Sequence, residues 1–177
     1  MILLANIGLP MLPVQGIFMV VALIPVILIE AVVIWRRESI SFKRSLGGSA
    51  AANAVSTLAG VPLSWGLMFL VLMASSLIDA NFSLDMNSPA IMIAYVILNA
   101  AWLAPLEQHL SWMAPMALAI LMIPSYFMSV WIEYLVCKWI WKDVDTESLW
   151  TTMRTMNGVT YAILILVCIV LMLMNFK

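Results

Sequence analysis

Two glutamates stand inside apolar runs of this sequence, and each is followed at a nearly constant distance by an asparagine. Glu30 precedes Asn53 by 23 positions, and Glu133 precedes Asn157 by 24 positions. Acidic residues inside membrane spans mark proton and ion paths. A carboxyl group that is hydrogen-bonded to an amide can instead hold two helices together. These pairs therefore indicate either ion or proton coupling or helix association.

The surroundings of the two pairs also agree. Each asparagine is followed three positions later by a hydroxyl residue, Ser56 or Thr160, and a basic, serine-containing loop separates each acid from its amide. Agreement at rare polar positions predicts an internal repeat of one helical hairpin. Because each acid and its amide are about equally far from the middle of a short loop, we expect them to face each other at similar depth.

The composition places these pairs in a membrane protein. The chain has 177 residues, of which 65% are hydrophobic and 10% are charged, and its mean hydropathy is +1.09. Soluble domains carry about 25% charged residues. The net charge of -1 gives no basic excess for nucleic acid. No GxSxG, Walker, HExxH or paired CxxC motif occurs, so we expect no catalytic residue, metal site or cofactor.

Four stretches meet the requirement of about 20 apolar residues for a membrane span: 12–35, 49–78, 114–139 and 158–176. A fifth, 89–104, is shorter and is predicted to be an interfacial or re-entrant helix. The sequence therefore predicts an all-α, polytopic integral membrane protein. Residues 1–78 and 114–177 form two similar transmembrane hairpins, and residues 79–113 form an extracytoplasmic segment between them.

Basic residues predict the orientation. Residues 79–113 contain no lysine or arginine. The basic residues instead follow the first span (Arg36, Arg37, Lys43 and Arg44) and the third span (Lys138, Lys142 and Arg154). The positive-inside rule puts both basic regions in the cytoplasm and both termini outside, as in a bacterial inner (plasma) membrane protein. A fifth crossing at 89–104 would put the two regions on opposite sides, and this alternative stays open. An Asn-Phe-Ser glycosylation acceptor begins at Asn81, on the expected outer side.

Packing residues are also predicted. Tryptophans near the span ends are expected at the headgroup level: Trp35, Trp139 and Trp141 on one side, Trp102 and Trp112 on the other. Gly60 would let helices approach closely, and Pro62 would bend its helix against a neighbour. Pro25 and Pro124 precede the acids and would free backbone carbonyls near them.

Residues 28–65 combine a span that ends in Glu30 with a basic loop and a polar returning helix that carries Asn53, Ser56, Thr57, Gly60 and Trp65. This hairpin resembles the FraC-type family, small membrane proteins linked to filament integrity and cell–cell septa in cyanobacteria. The resemblance implies a non-enzymatic component of a membrane assembly.

The sequence thus predicts a non-enzymatic subunit or scaffold of a larger membrane complex, with a role in cell–cell junction or septum assembly as the resemblance implies. Its expected partners are the lipid bilayer and other membrane subunits or a second copy of the chain, which would form a homo-oligomer. The acids would then be neutral pins between helices or would snorkel to the headgroups. The alternative is a dimeric ion- or proton-coupled carrier that uses Glu30 and Glu133.

Overall fold

The chain folds as an α-helical bundle in the computed structural model, which describes residues 9–78, 88–103 and 109–175. Its helices are α1 (Met11–Arg37), α2 (Phe42–Ile78), α3 (Pro89–Leu98), α4 (Leu110–Ile140) and α5 (Thr146–Asn175). Four of them, α1, α2, α4 and α5, are long and apolar enough to cross a membrane. The all-α membrane fold with four spans is therefore confirmed. Asn81 lies outside the described residues, as do the parts of the predicted extracytoplasmic segment at 79–87 and 104–108.

Two of the spanning helices begin earlier than hydropathy predicts. α2 starts at Phe42, whereas the apolar run starts at 49, and α5 starts at Thr146, whereas the run starts at 158. The Asp145 carboxylate accepts hydrogen bonds from the backbone N–H groups of Glu147 and Ser148, at 3.1 and 2.8 Å. This is an N-cap, which starts a helix whatever the hydropathy of its first turns.

The short helix α3 ends at Leu98, so the prediction of a helix over 89–104 is wrong in its second part. The chain turns at Asn99, whose side-chain amide donates a hydrogen bond to the Tyr95 carbonyl at 2.9 Å. The chain then forms β2 (Trp102–Leu103), which pairs antiparallel with β1 (Leu9–Pro10) ahead of α1. With ten residues, α3 is too short to cross a bilayer.

Both basic connections lie at the same end of the bundle. The Arg44 guanidinium at the start of α2 forms an ion pair with the Asp143 carboxylate between α4 and α5. Glu38, just after α1, accepts hydrogen bonds from the Ser148 and Thr152 hydroxyls of α5. α1 and α4 therefore run in the same direction, and each packs against both α2 and α5.

The tryptophans divide into two groups. Trp35 and Trp139 are 45% and 76% exposed, as expected for side chains at a lipid interface. Trp141 and Trp112 are only 1% and 4% exposed, so these two rings pack inside the protein, and their level in the membrane stays a prediction. The Trp141 ring fills a slot opened by Gly48, where an added Cβ would lie 2.0 Å from Cζ2. A glycine, and no larger residue, makes room for this ring.

Candidate functional site

The first acid, Glu30, is buried between three helices. Its side chain is 0% exposed. On Oε2 it accepts hydrogen bonds from Asn53 Nδ2 and, at 3.5 Å, from Ser49 Oγ, both on α2. On Oε1 it accepts one from Thr160 Oγ1 of α5, at 3.0 Å. Both oxygens of this carboxyl therefore have donors.

The second acid, Glu133, lies in an equivalent environment and is 1% exposed. Its Oε2 accepts a hydrogen bond from Asn157 Nδ2 at 2.8 Å, within the second hairpin. Its Oε1 accepts one from Ser56 Oγ at 2.7 Å, from the first hairpin. Because neither glutamate reaches the surface, the alternative in which they snorkel to the headgroups is wrong.

The two sets of contacts are reciprocal. Each carboxyl takes an amide from its own hairpin and a hydroxyl from the other hairpin. The predicted contact between glutamate and asparagine within each hairpin is present, whereas the exchange of Ser56 and Thr160 between hairpins was not foreseen. We call the six residues the polar cluster: Glu30, Asn53, Ser56, Glu133, Asn157 and Thr160. The internal duplication of the sequence stays a prediction.

Local bonds hold the donors in place. Residues three or four apart lie on one side of a helix, so one turn of α2 or α5 presents both an amide and a hydroxyl to the acids. Asn53 and Asn157 also donate to the carbonyls four residues earlier, at 3.0 and 3.1 Å. These bonds restrain the side-chain rotamers of the two asparagines within their own helices.

One acceptor in the polar cluster has no donor. Asn157 Oδ1 is buried, and no hydrogen bond reaches it from the described part of the chain. Two carboxyls and a buried amide oxygen together can bind a proton or a cation. The same groups, with five side-chain donors around them, can also act as an uncharged joint between helices.

The glycine and prolines that were predicted to shape helix packing differ in how deeply they are buried. Gly60 is buried on α2, where an added Cβ would lie 3.6 Å from Met128 Cβ of α4, so it serves the predicted close approach. Pro25 and Pro62 have exposed side chains, and the freeing of carbonyls near Pro25 and the bend at Pro62 stay predictions. Pro124 is half-buried. Each proline lies inside a continuous helix.

Sequence reasoning missed a further set of buried polar pairs. Gln15 Nε2 of α1 donates to Ser125 Oγ of α4 at 2.8 Å, and Ser129 shares a 2.7 Å hydrogen bond with Tyr161 of α5. Ser125, Ser129 and Glu133 are spaced four residues apart, which puts them in one row along α4. This spacing was the available signal, and the row extends from the polar cluster toward the end where α1 begins.

Within residues 9–78, 88–103 and 109–175, no three histidine, cysteine, aspartate or glutamate side chains come together as a metal site. No protein-family model, curated protein or solved structure matches this chain.

Proposed function

We propose that this four-helix membrane protein is a non-enzymatic subunit or scaffold of a larger membrane complex. The observation that supports this is the reciprocal hydrogen bonding of the polar cluster, which fastens the two hairpins into one unit. The outside of that unit is apolar: Val21, Leu58 and Ile24 are 73%, 79% and 71% exposed. Because the connections at 38–41 and 141–145 are short, a partner would be met mainly within the bilayer.

The resemblance of residues 28–65 to the FraC-type family extends the proposal to cell–cell junctions or septa. It would make the chain part of the assembly that joins neighbouring cells, with other membrane subunits or a second copy as partners. Fluorescent tagging tests this extension, because a septal component concentrates at septa. Uniform membrane fluorescence would contradict it without affecting the proposed scaffold role.

The proposed setting is a bacterial inner membrane with the two basic connections in the cytoplasm. Cysteines placed at Lys43 and Lys142 would report it, because the native Cys137 and Cys168 are buried. We expect a membrane-impermeant maleimide to label both positions in inverted vesicles and neither in intact cells. Labelling of the two positions from opposite sides would contradict the arrangement.

Site-specific crosslinking tests the scaffold role directly. A photoreactive residue would replace Ile24, Leu58 or Leu173, which lie on α1, α2 and α5 and are 71%, 79% and 63% exposed. We expect at least one position to give a protein adduct of defined mass in native membranes. If all three positions crosslink to lipid alone, and the extracted particle holds only the 19.7 kDa chain, the proposal fails.

The second candidate function is a dimeric ion- or proton-coupled carrier. Its support is the burial of two carboxyls in one polar cluster, the open acceptor Asn157 Oδ1, and the polar row that leads from the cluster along α4. Liposome flux separates the candidates. In a carrier, Glu30→Gln with Glu133→Gln removes an ion- or proton-driven signal. In a scaffold, the wild-type protein gives no flux, and the double variant retains its crosslinked partner.

A further inference from the structure

The outer side of the second hairpin carries a cavity of about 560 Å³ along the seam between α4 and α5. Most of its lining is apolar or aromatic, and one side chain is charged: Phe127, Met128, Val130, Trp131 and Trp150 surround it together with Arg154. Phe127 and Trp131 are 64% and 60% exposed, so the cavity opens to the outside of the bundle.

Arg154 has no acidic partner there. It is exposed and lies eight residues into α5, about 12 Å along the helix from Thr146. Among the described residues the ion pair formed is that of Arg44 with Asp143, and no carboxylate reaches Arg154. Asn157 of the polar cluster follows three residues later. An exposed guanidinium that lacks an acidic partner and borders an apolar groove can pair with an anion that enters the groove.

The surroundings of Arg154 suit a phospholipid. Trp150 is held edge-on by Tyr134, with ring centroids 5.1 Å apart, and Lys138 lies 5.5 Å from the same Tyr134 ring. A second cation therefore stands on this side of the hairpin. One turn beyond Arg154 on the same helix face is Gly158, where an added Cβ would meet nothing within 4 Å.

We propose that the α4–α5 seam is a binding site for one anionic phospholipid. Arg154 binds the phosphate, because a guanidinium pairs with phosphate oxygens through two parallel hydrogen bonds. The indoles of Trp131 and Trp150 lie at the headgroup level, where tryptophan is favoured. An acyl chain packs against Phe127 and continues past Gly158. Basic pockets between transmembrane helices on the cytoplasmic side select anionic lipids in this way. This proposal does not depend on the scaffold role.

Native mass spectrometry of the full chain, with phosphatidylglycerol or phosphatidylcholine added to the detergent, tests the site. We expect one phosphatidylglycerol to be retained in preference to phosphatidylcholine. Arg154→Gln should weaken its retention about fivefold, as expected for one cation near an anionic headgroup. Arg36→Gln is the matched control, because Arg36 is equally exposed but lies at the end of α1.

Equal retention of both lipids by the wild-type protein would overturn the proposal. An effect of Arg36→Gln as large as that of Arg154→Gln would also overturn it. Displacement of the lipid by an equal concentration of soluble glycerol phosphate would show a site for free phosphate instead. If Arg154→Gln does not fold, Trp131→Leu replaces it, because this exposed residue can change without loss of core packing. Unchanged phosphatidylglycerol retention in that variant would count against the site.

Discussion

The hydrogen bonds that Ser56 and Thr160 donate across the two hairpins can be tested by removing one donor while keeping the shape of its side chain. Thr160→Val does this, because valine differs from threonine mainly by a methyl in place of the hydroxyl. The change leaves Glu30 Oε1 without its donor at 3.0 Å. The carbonyls of Met156 and Asn157 also lie 3.2 Å from this hydroxyl and compete with Glu30 for its single hydrogen. As backbone groups inside α5, these two carbonyls lose little when the hydroxyl is removed.

The expected loss of stability can be estimated from two typical energies. A side-chain hydrogen bond inside a membrane protein contributes on average about 0.6 kcal/mol. A buried acceptor left without a donor costs about 1–3 kcal/mol. Because Glu30 is fully buried and its Oε1 has no other donor in the described structure, the energy of an unsatisfied buried acceptor applies. We therefore expect Thr160→Val to lower the free energy of unfolding by about 1–2 kcal/mol.

Steric trapping in bicelles measures this free energy at equilibrium. Thr151→Val is the matched control, because Thr151 lies on the same helix, is exposed, and donates only to the Glu147 carbonyl at 3.1 Å. We expect the control to change stability by about 0.5 kcal/mol or less, as is usual for surface substitutions. If the two variants destabilise the protein equally, the hydrogen bond from Thr160 to Glu30 does not hold the hairpins together, and the reasoning is refuted.

Two further predictions concern the end of the bundle with the basic connections. Gly48→Ala should lower the free energy of unfolding by about 1–3 kcal/mol, because the added methyl overpacks against Trp141. Gly47→Ala is the control and should leave this free energy unchanged, because a Cβ there meets nothing within 4 Å. Equal effects of the two variants in chemical denaturation would contradict this prediction. The hydrogen bond from Arg44 lowers the pKa of Asp143 from its usual 3.8 to about 2, so this contact stabilises the fold above pH 4 and is lost as the pH falls toward 2. Thermal melting should therefore show that the stability difference from Asp143→Asn shrinks between pH 4 and 2, and a difference that stays constant would contradict it.

The sequence was informative where one local feature decides the structure. Apolar runs of about 20 residues fix the four spans, and equal distance from a short loop brings Glu30 to Asn53. The exchange of Ser56 and Thr160 was not predictable, because it depends on how one hairpin packs on the other, which no loop length encodes. Hydropathy also overlooked the first turns of α5, which are polar and start at the Asp145 cap. The strand pair that follows α3 was missed because it joins β1 to β2, residues far apart in the chain.

The hydrogen bonds of the polar cluster weigh on the choice between scaffold and carrier. A carrier must at some stage bring Glu30 or Glu133 into contact with water. In this bundle, such a movement breaks bonds to both hairpins at once, because each acid holds an amide from one and a hydroxyl from the other. An acid exposed to lipid on the way costs about 2.5–3.5 kcal/mol or more. The arrangement supports the proposal of a fixed joint. Within the polar cluster, Asn157 Oδ1 is the buried acceptor that a bound cation would satisfy.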